Sequence, residues 1–289
     1  MTGTAPFLHS LPYMTKTILI IAAVIYWACF VGRVYLWDRE LTSVETKLAY
    51  LEKAALLVFT AGLVFYIGRL QIIDGHVHSE NYDRPVSFLL FAWALSAANL
   101  VTEIFYANRA TAVYANFWCG LTLSVSASTA AGFRLIFTDD LDWLSFHRLC
   151  FLLGYAFCVL AGPLALRYFW YRFRARGLKG EAKAHSMRAR SFFDRMTYRM
   201  VLWALPLLTA GIITEALVLL EKNRLPSPAM IWNDKTETLL ALAAWFLCGL
   251  FLHTRLFFGW RNFKSATLYV VGMAALLGAH IVQGLHRLG

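Results

Sequence analysis

Eight apolar segments, each close to the roughly 20 residues that cross a hydrocarbon core, account for most of this 289-residue chain. They run approximately over 14–37, 47–70, 85–107, 112–136, 147–171, 197–221, 237–259 and 265–286. Inside lipid every backbone N–H and C=O has to be satisfied within the chain, so segments of this kind are predicted to be α-helices. Hydrophobic residues make up 59% of positions and charged residues only 15%, where a soluble domain carries about a quarter. Too few polar groups remain to cover a globular surface in water. The expected fold is an all-α integral membrane protein, a bundle of about eight transmembrane helices forming one domain over 1–289.

Orientation is expected to follow the positive charge. Ten Lys and Arg residues lie from Arg167 to Arg199, opposed only by Glu181 and Asp194, so this stretch holds +8 of the net +10. Basic residues flanking spans favour the cytoplasmic side. The segment 172–196 is therefore expected to be a basic cytoplasmic loop, one able to touch anionic lipid headgroups. Charge of this kind reports topology, and no nucleic-acid partner is expected. By alternation both termini fall on the extracytoplasmic side, as does the acidic stretch Asp139-Asp140-Leu141-Asp142.

The five cysteines, Cys29, Cys119, Cys150, Cys158 and Cys248, all fall in apolar stretches and form no CxxC pair. That spacing excludes a zinc knuckle, a CxxC redox pair and a c-type haem attachment site, and leaves small packing residues. The stretch from Met14 to Trp37 is too long for a signal-peptide core and lacks a small-residue cleavage site, so it reads as a span.

The histidines sort by depth. His147 opens the fifth span and His286 closes the eighth, both at the outer edge. Two imidazoles from different helices at one boundary could form an axial pair for a haem; each could equally be a polar cap at an interface. His253 lies ~24 Å below the outer start of the seventh span, and His280 only ~9 Å below His286, at about 1.5 Å per residue. Those two cannot share one iron, so a haem at His253 requires a second ligand from elsewhere. An ionisable group within a span is a candidate functional residue. Of the other intramembrane charges, Glu52 and Glu103 are expected to reach the inner interface, and Glu215 to pair with Arg134. The small-residue run from Ser124 to Gly132 suits close helix packing.

Several stretches together resemble a known family. They are Arg84-Pro85-Val86-Ser87 running into Phe91-Ala92-Trp93, His147-Arg148-Leu149 with Leu153-Gly154-Tyr155, and Leu205-Pro206-Leu207-Leu208-Thr209-Ala210-Gly211-Ile212. Leu252-His253-Thr254-Arg255, Gly259-Trp260-Arg261 and Gly284-Leu285-His286 complete the set. In order and spacing these are similar to the System II cytochrome c biogenesis membrane proteins (CcsA/ResC type, with their HemX-like relatives). The resemblance covers roughly residues 80–289. It implies a multi-pass protein of the bacterial cytoplasmic (inner) membrane that handles haem b. His147 and His286 would be axial ligands at the outer face. His253 would belong to an inner haem site whose second ligand comes from a companion membrane subunit. Apocytochrome c would be the acceptor of the haem.

The outer loop 222–236 departs from the family pattern. The tryptophan-rich signature is reduced to Trp232, Asp234, Lys235 and Glu237, and the expected proline is missing. Fewer flat aromatic faces remain to stack on a porphyrin. Trp232 and Asp234 are the residues the resemblance assigns to haem contact there. The departure motivates a second reading, in which the same scaffold is a non-catalytic b-haem or structural subunit, or a HemX-like regulator, of a larger membrane complex such as a respiratory complex.

Overall fold

The computed structural model describes residues 11–36, 42–74, 84–106, 110–129, 143–221, 236–260 and 263–286. They form eight long α-helices: α1 (Leu11–Leu36), α2 (Thr42–Asp74), α3 (Arg84–Tyr106), α4 (Ala110–Thr129), α5 (Trp143–Arg174), α6 (Gly180–Glu221), α7 (Thr236–Leu256) and α8 (Phe263–His286). The chain divides into two compact units, Met1–Leu141 and Asp142–Gly289, where the hydropathy pattern suggests a single domain. Among the described residues, four segments are long and apolar enough to cross a membrane: Thr17–Leu36, Leu89–Tyr106, Leu149–Gly177 and Gly180–Leu217. Leu242–Leu256 and Phe263–Gly278 are shorter apolar helices.

In the first unit, α1 and α3 both pack on α4, and α2 lies against α1 and α3. Small side chains make the close approach possible. The five-membered ring of Trp27 sits where a side chain on Gly120 would project, its indole N–H donating to Ser124 Oγ at 3.2 Å. Ser124 in turn donates to the Gly120 carbonyl, and Thr60, Thr102 and Thr122 do the same four residues back along their own helices. Hydroxyls that bond to their own helix cost nothing in lipid, where no water could satisfy them.

The same unit corrects the expectation for Glu52. Its carboxylate does not reach an interface; it is 6% exposed and accepts both Arg33 Nε at 2.6 Å and Arg33 Nη2 at 2.8 Å, with Asn116 Nδ2 at 2.6 Å. Glu52 is ten residues, about three turns, inside α2, and its partner Arg33 is buried on α1, so pairing outcompetes snorkelling. Glu103 is paired as well, accepting from Lys53 at 3.1 Å.

In the second unit α5 and α6 form a long antiparallel hairpin, with α7 packed on α6 and α8 on both α5 and α7. The basic stretch is not an open loop. Helix α5 runs on to Arg174 and α6 begins at Gly180, leaving only the 3₁₀ turn Ala175–Gly177 and two linking residues. The stretch lacks proline and is rich in Ala, Arg, Lys and Met, which favour helix; its breakers are Gly177 and Gly180, the latter at φ +58°. Buried Leu160, Leu164, Tyr168, Met196, Met200 and Tyr269 form the core. All five cysteines are free and buried. Cys158 and Cys248, ninety residues apart in sequence, place their sulfurs 3.4 Å apart, a neighbour relationship that no CxxC spacing reveals.

Candidate functional site

His147 lies in the first turns of α5, partly buried, with Nδ1 2.8 Å from the carbonyl oxygen of Gly211 on α6. A carbonyl only accepts, so Nδ1 carries the proton and the lone pair of the neutral ring sits on Nε2. Orienting an imidazole through Nδ1–H is how a ligating histidine is presented to a metal. The ring edge meets Phe151 at a centroid distance of 4.6 Å and 82°. Gly211 permits this arrangement, because a Cβ there would come within 3.0–3.1 Å of the Phe151 ring. The same carbonyl accepts Thr214 Oγ1 at 3.0 Å. These residues suit one axial imidazole of a haem.

His286 is the last residue of α8; its side chain lies outside the described residues, as does that of His280. Helices α5 and α8 are antiparallel, joined by Phe169 against Phe263 at 5.5 Å and by Tyr269 Oη donating to the Cys158 carbonyl at 2.9 Å. From the Phe169–Phe263 contact His147 is 22 residues back along α5 and His286 is 23 residues on along α8. At 1.5 Å per residue both stand about 33–35 Å away, at the same end of the unit.

His253 stands near the other end. It is exposed in the last turn of α7, its ring 4.7 Å from that of Phe257 and 5.6 Å from that of Phe258. The helix closes just beyond it through Gly259 at φ +62°, with Trp260 N–H donating to the Thr254 carbonyl at 3.1 Å. Two residues on, Arg255 grips Asp194 of α6 with both terminal nitrogens, at 3.0 and 2.6 Å, and covers the Tyr198 ring at 4.8 Å. In the sequence Asp194 stands out only as a charge opposing its basic neighbours. Gly211 pairs with the His147 level and Asp194 with the His253 level, and the 17 residues between them on α6 separate the two histidine levels by about 25 Å.

Trp232 and Asp234 fall in 222–235, and Arg134, the expected partner of Glu215, falls in 130–142; all three lie outside the described residues. No group of three or more potential metal-ligating side chains occurs among the described residues.

The profile of the family described as cytochrome C assembly protein matches residues 83–284, which includes α3 through nearly all of α8. The cytochrome c biogenesis protein CcsA of Chlamydomonas reinhardtii is 29% identical over 153 residues, 51% of this chain and 41% of that protein. CcsA of Gloeobacter violaceus is 35% identical over 101 residues, 33% of this chain and 28% of that protein. These two alignments span less than half the length of the relatives they match. The alignment with CcsA of Trieres chinensis, at 23% identity, covers 94% of both chains. The chain is a multi-pass membrane protein and belongs to the cytochrome c assembly protein family.

Proposed function

We propose that this protein handles haem b at two levels of the membrane, receiving it at His253 and presenting it at the outer face through His147 and His286. The observation that carries the reading is the His147–Gly211 hydrogen bond, which fixes the imidazole tautomer that coordinates iron through Nε2. In this reading the eight helices all span the bilayer, both termini are extracytoplasmic, and the basic α5–α6 turn is cytoplasmic in a bacterial inner membrane. His253 lies at the exposed end of α7, which suits a second ligand from a companion membrane subunit. Bound haem would supply the iron and the vinyl groups that become thioethers in an apocytochrome c. The chain's own residues hold it: His147 through an oriented lone pair, Trp232 and Asp234 from the outer loop.

The test is an absorbance spectrum with a pyridine haemochrome assay on the detergent-purified protein. A b-type spectrum is expected, with the outer fraction lost in His147→Ala and His286→Ala and a separate fraction lost in His253→Ala. A colourless protein from haem-replete cells would sink the proposal. It would favour the HemX-like regulator or structural subunit, the reading motivated by the reduced aromatic content of the 222–236 loop.

A further inference from the structure

Where α5 ends and α8 begins, the second unit contains a cavity of about 570 Å³ whose lining includes Tyr168 and Arg172 of α5, Arg190 of α6, and Trp260, Phe263 and Lys264 around the start of α8. Its volume is within the range of small-molecule sites. Among the described residues three cations face it and no carboxylate lines it. Each cation has an aromatic face as neighbour: Arg172 is 4.0 Å from the Phe263 centroid, Lys264 5.7 Å from Trp260 and Arg190 5.9 Å from Tyr168. The acid nearest on α6, Asp194, is already held by Arg255. Like charges gathered without a counter-charge repel one another, and an anion between them removes that cost. The wall also holds a donor in want of an acceptor. The Tyr168 side chain is fully buried, and its hydroxyl has no hydrogen-bond partner among the described residues. A buried orphan of this kind is rare and marks a group satisfied by something else.

The surroundings say what carries the anion. Arg172 is in the last turn of α5 and Lys264 in the first turn of α8, the depth at which hydrocarbon gives way to headgroups. Phe258, which lines the cavity, and its neighbour Phe257 are 66% and 76% exposed, apolar faces suited to acyl chains. We infer that this cavity binds the phosphate headgroup of an anionic phospholipid. Arg172, Arg190 and Lys264 neutralise it, the Tyr168 hydroxyl donates to a phosphate oxygen, and the acyl chains run along the exposed aromatics. A zwitterionic lipid would bring its ammonium group against three cations. None of the proposed haem ligands lines the cavity, although Phe258, which does, packs against the His253 ring.

The full-length protein, purified and delipidated in neutral detergent, is titrated separately with phosphatidylglycerol, phosphatidylcholine and inorganic phosphate, reading retained lipid by native mass spectrometry and thermal stability. Phosphatidylglycerol alone is expected to be retained and to raise the melting temperature. The triple variant Arg172→Gln, Arg190→Gln, Lys264→Gln should bind it about a hundredfold more weakly, given roughly tenfold per 1.4 kcal/mol and about 1 kcal/mol per basic residue. Tyr168→Phe, which removes one oxygen and leaves the ring, should weaken it about tenfold. If the triple variant does not fold, Tyr168→Phe decides alone, and unchanged affinity overturns the site. Equal retention of phosphatidylcholine would also overturn it, as would the same stabilisation by inorganic phosphate.

Discussion

The Nδ1 atom of His147 is held 2.8 Å from the carbonyl oxygen of Gly211, a backbone group on the neighbouring helix. The bond depends on a residue without a side chain: Gly211 lets the Phe151 ring lie within contact of the backbone, and that ring braces the imidazole edge. Gly211→Ala should therefore press a methyl against Phe151 and displace the ring by a few tenths of an ångström. Overpacking of this size costs about 1–3 kcal/mol. The expected signature is a reduced share of outer-site haem, or a shifted haem absorbance, in a protein that still folds. Haem content set beside the melting temperature separates this from general destabilisation, since a purely structural effect would lower both together.

Asp194 and Arg255 join α6 to α7 two residues from His253. Their side chains are 10% and 11% exposed, and the pair is bidentate. Removing one partner strands the other charge in a poorly solvated place, at a cost of about 3 kcal/mol. Asp194→Ala should lower the melting temperature markedly. Asp194→Leu combined with Arg255→Met should recover much of the loss, because no charge is then left unpaired. Measuring both variants in one detergent checks the claim; a double variant as unstable as Asp194→Ala would refute it.

How much of this is legible in the sequence varies with the kind of interaction. The helical architecture and the position of His147 follow from apolar segment length and from motif order, and both are properties of side chains. The partner of His147 is a backbone carbonyl, and Gly211 carries no side-chain signal beyond its smallness. Hydropathy reports depth and says nothing of helical continuity, which is why the basic stretch around Arg172–Arg195 reads as a loop although it is largely helix. Arg33 gives little signal for a related reason: one cation in a strongly apolar segment barely moves the average. Its pairing with Glu52 joins two helices that a linear reading treats separately.

Gly154 on α5 faces Leu208 on α6, and a Cβ at that glycine would come within 2.8 Å of the leucine side chain. The Leu208 side chain is fully buried, so it has little room to retreat. Gly154→Val should destabilise the α5–α6 hairpin by about 1–3 kcal/mol. Pairing it with Leu208→Ala should restore much of that by opening space. Thermal unfolding of the two single variants and the double variant gives the coupling between the sites, and simple additivity would contradict close packing at this point.

The Arg33–Glu52–Asn116 cluster joins α1, α2 and α4 inside the first unit, with Arg33 4% and Glu52 6% exposed. Glu52 Oε1 accepts from both Arg33 and Asn116 at 2.6 Å, and Glu45 approaches Arg33 at 3.8 Å from the exposed side. Glu52→Ala leaves a guanidinium with only that distant carboxylate for a partner and orphans the Asn116 amide as well. The expected cost is about 3–5 kcal/mol. Glu52→Gln keeps an acceptor for Asn116 and for one arginine nitrogen, and should cost visibly less. Arg33→Leu with Glu52→Leu leaves no charge unpaired, so it should recover most of the loss, short of the cost of the Asn116 amide that still lacks its acceptor. The informative measurement is the order of melting temperatures, with Glu52→Ala lowest, Glu52→Gln between and the double variant highest. If Glu52→Ala were as stable as the parent, the carboxylate would have to be solvated at an interface after all, contrary to its burial.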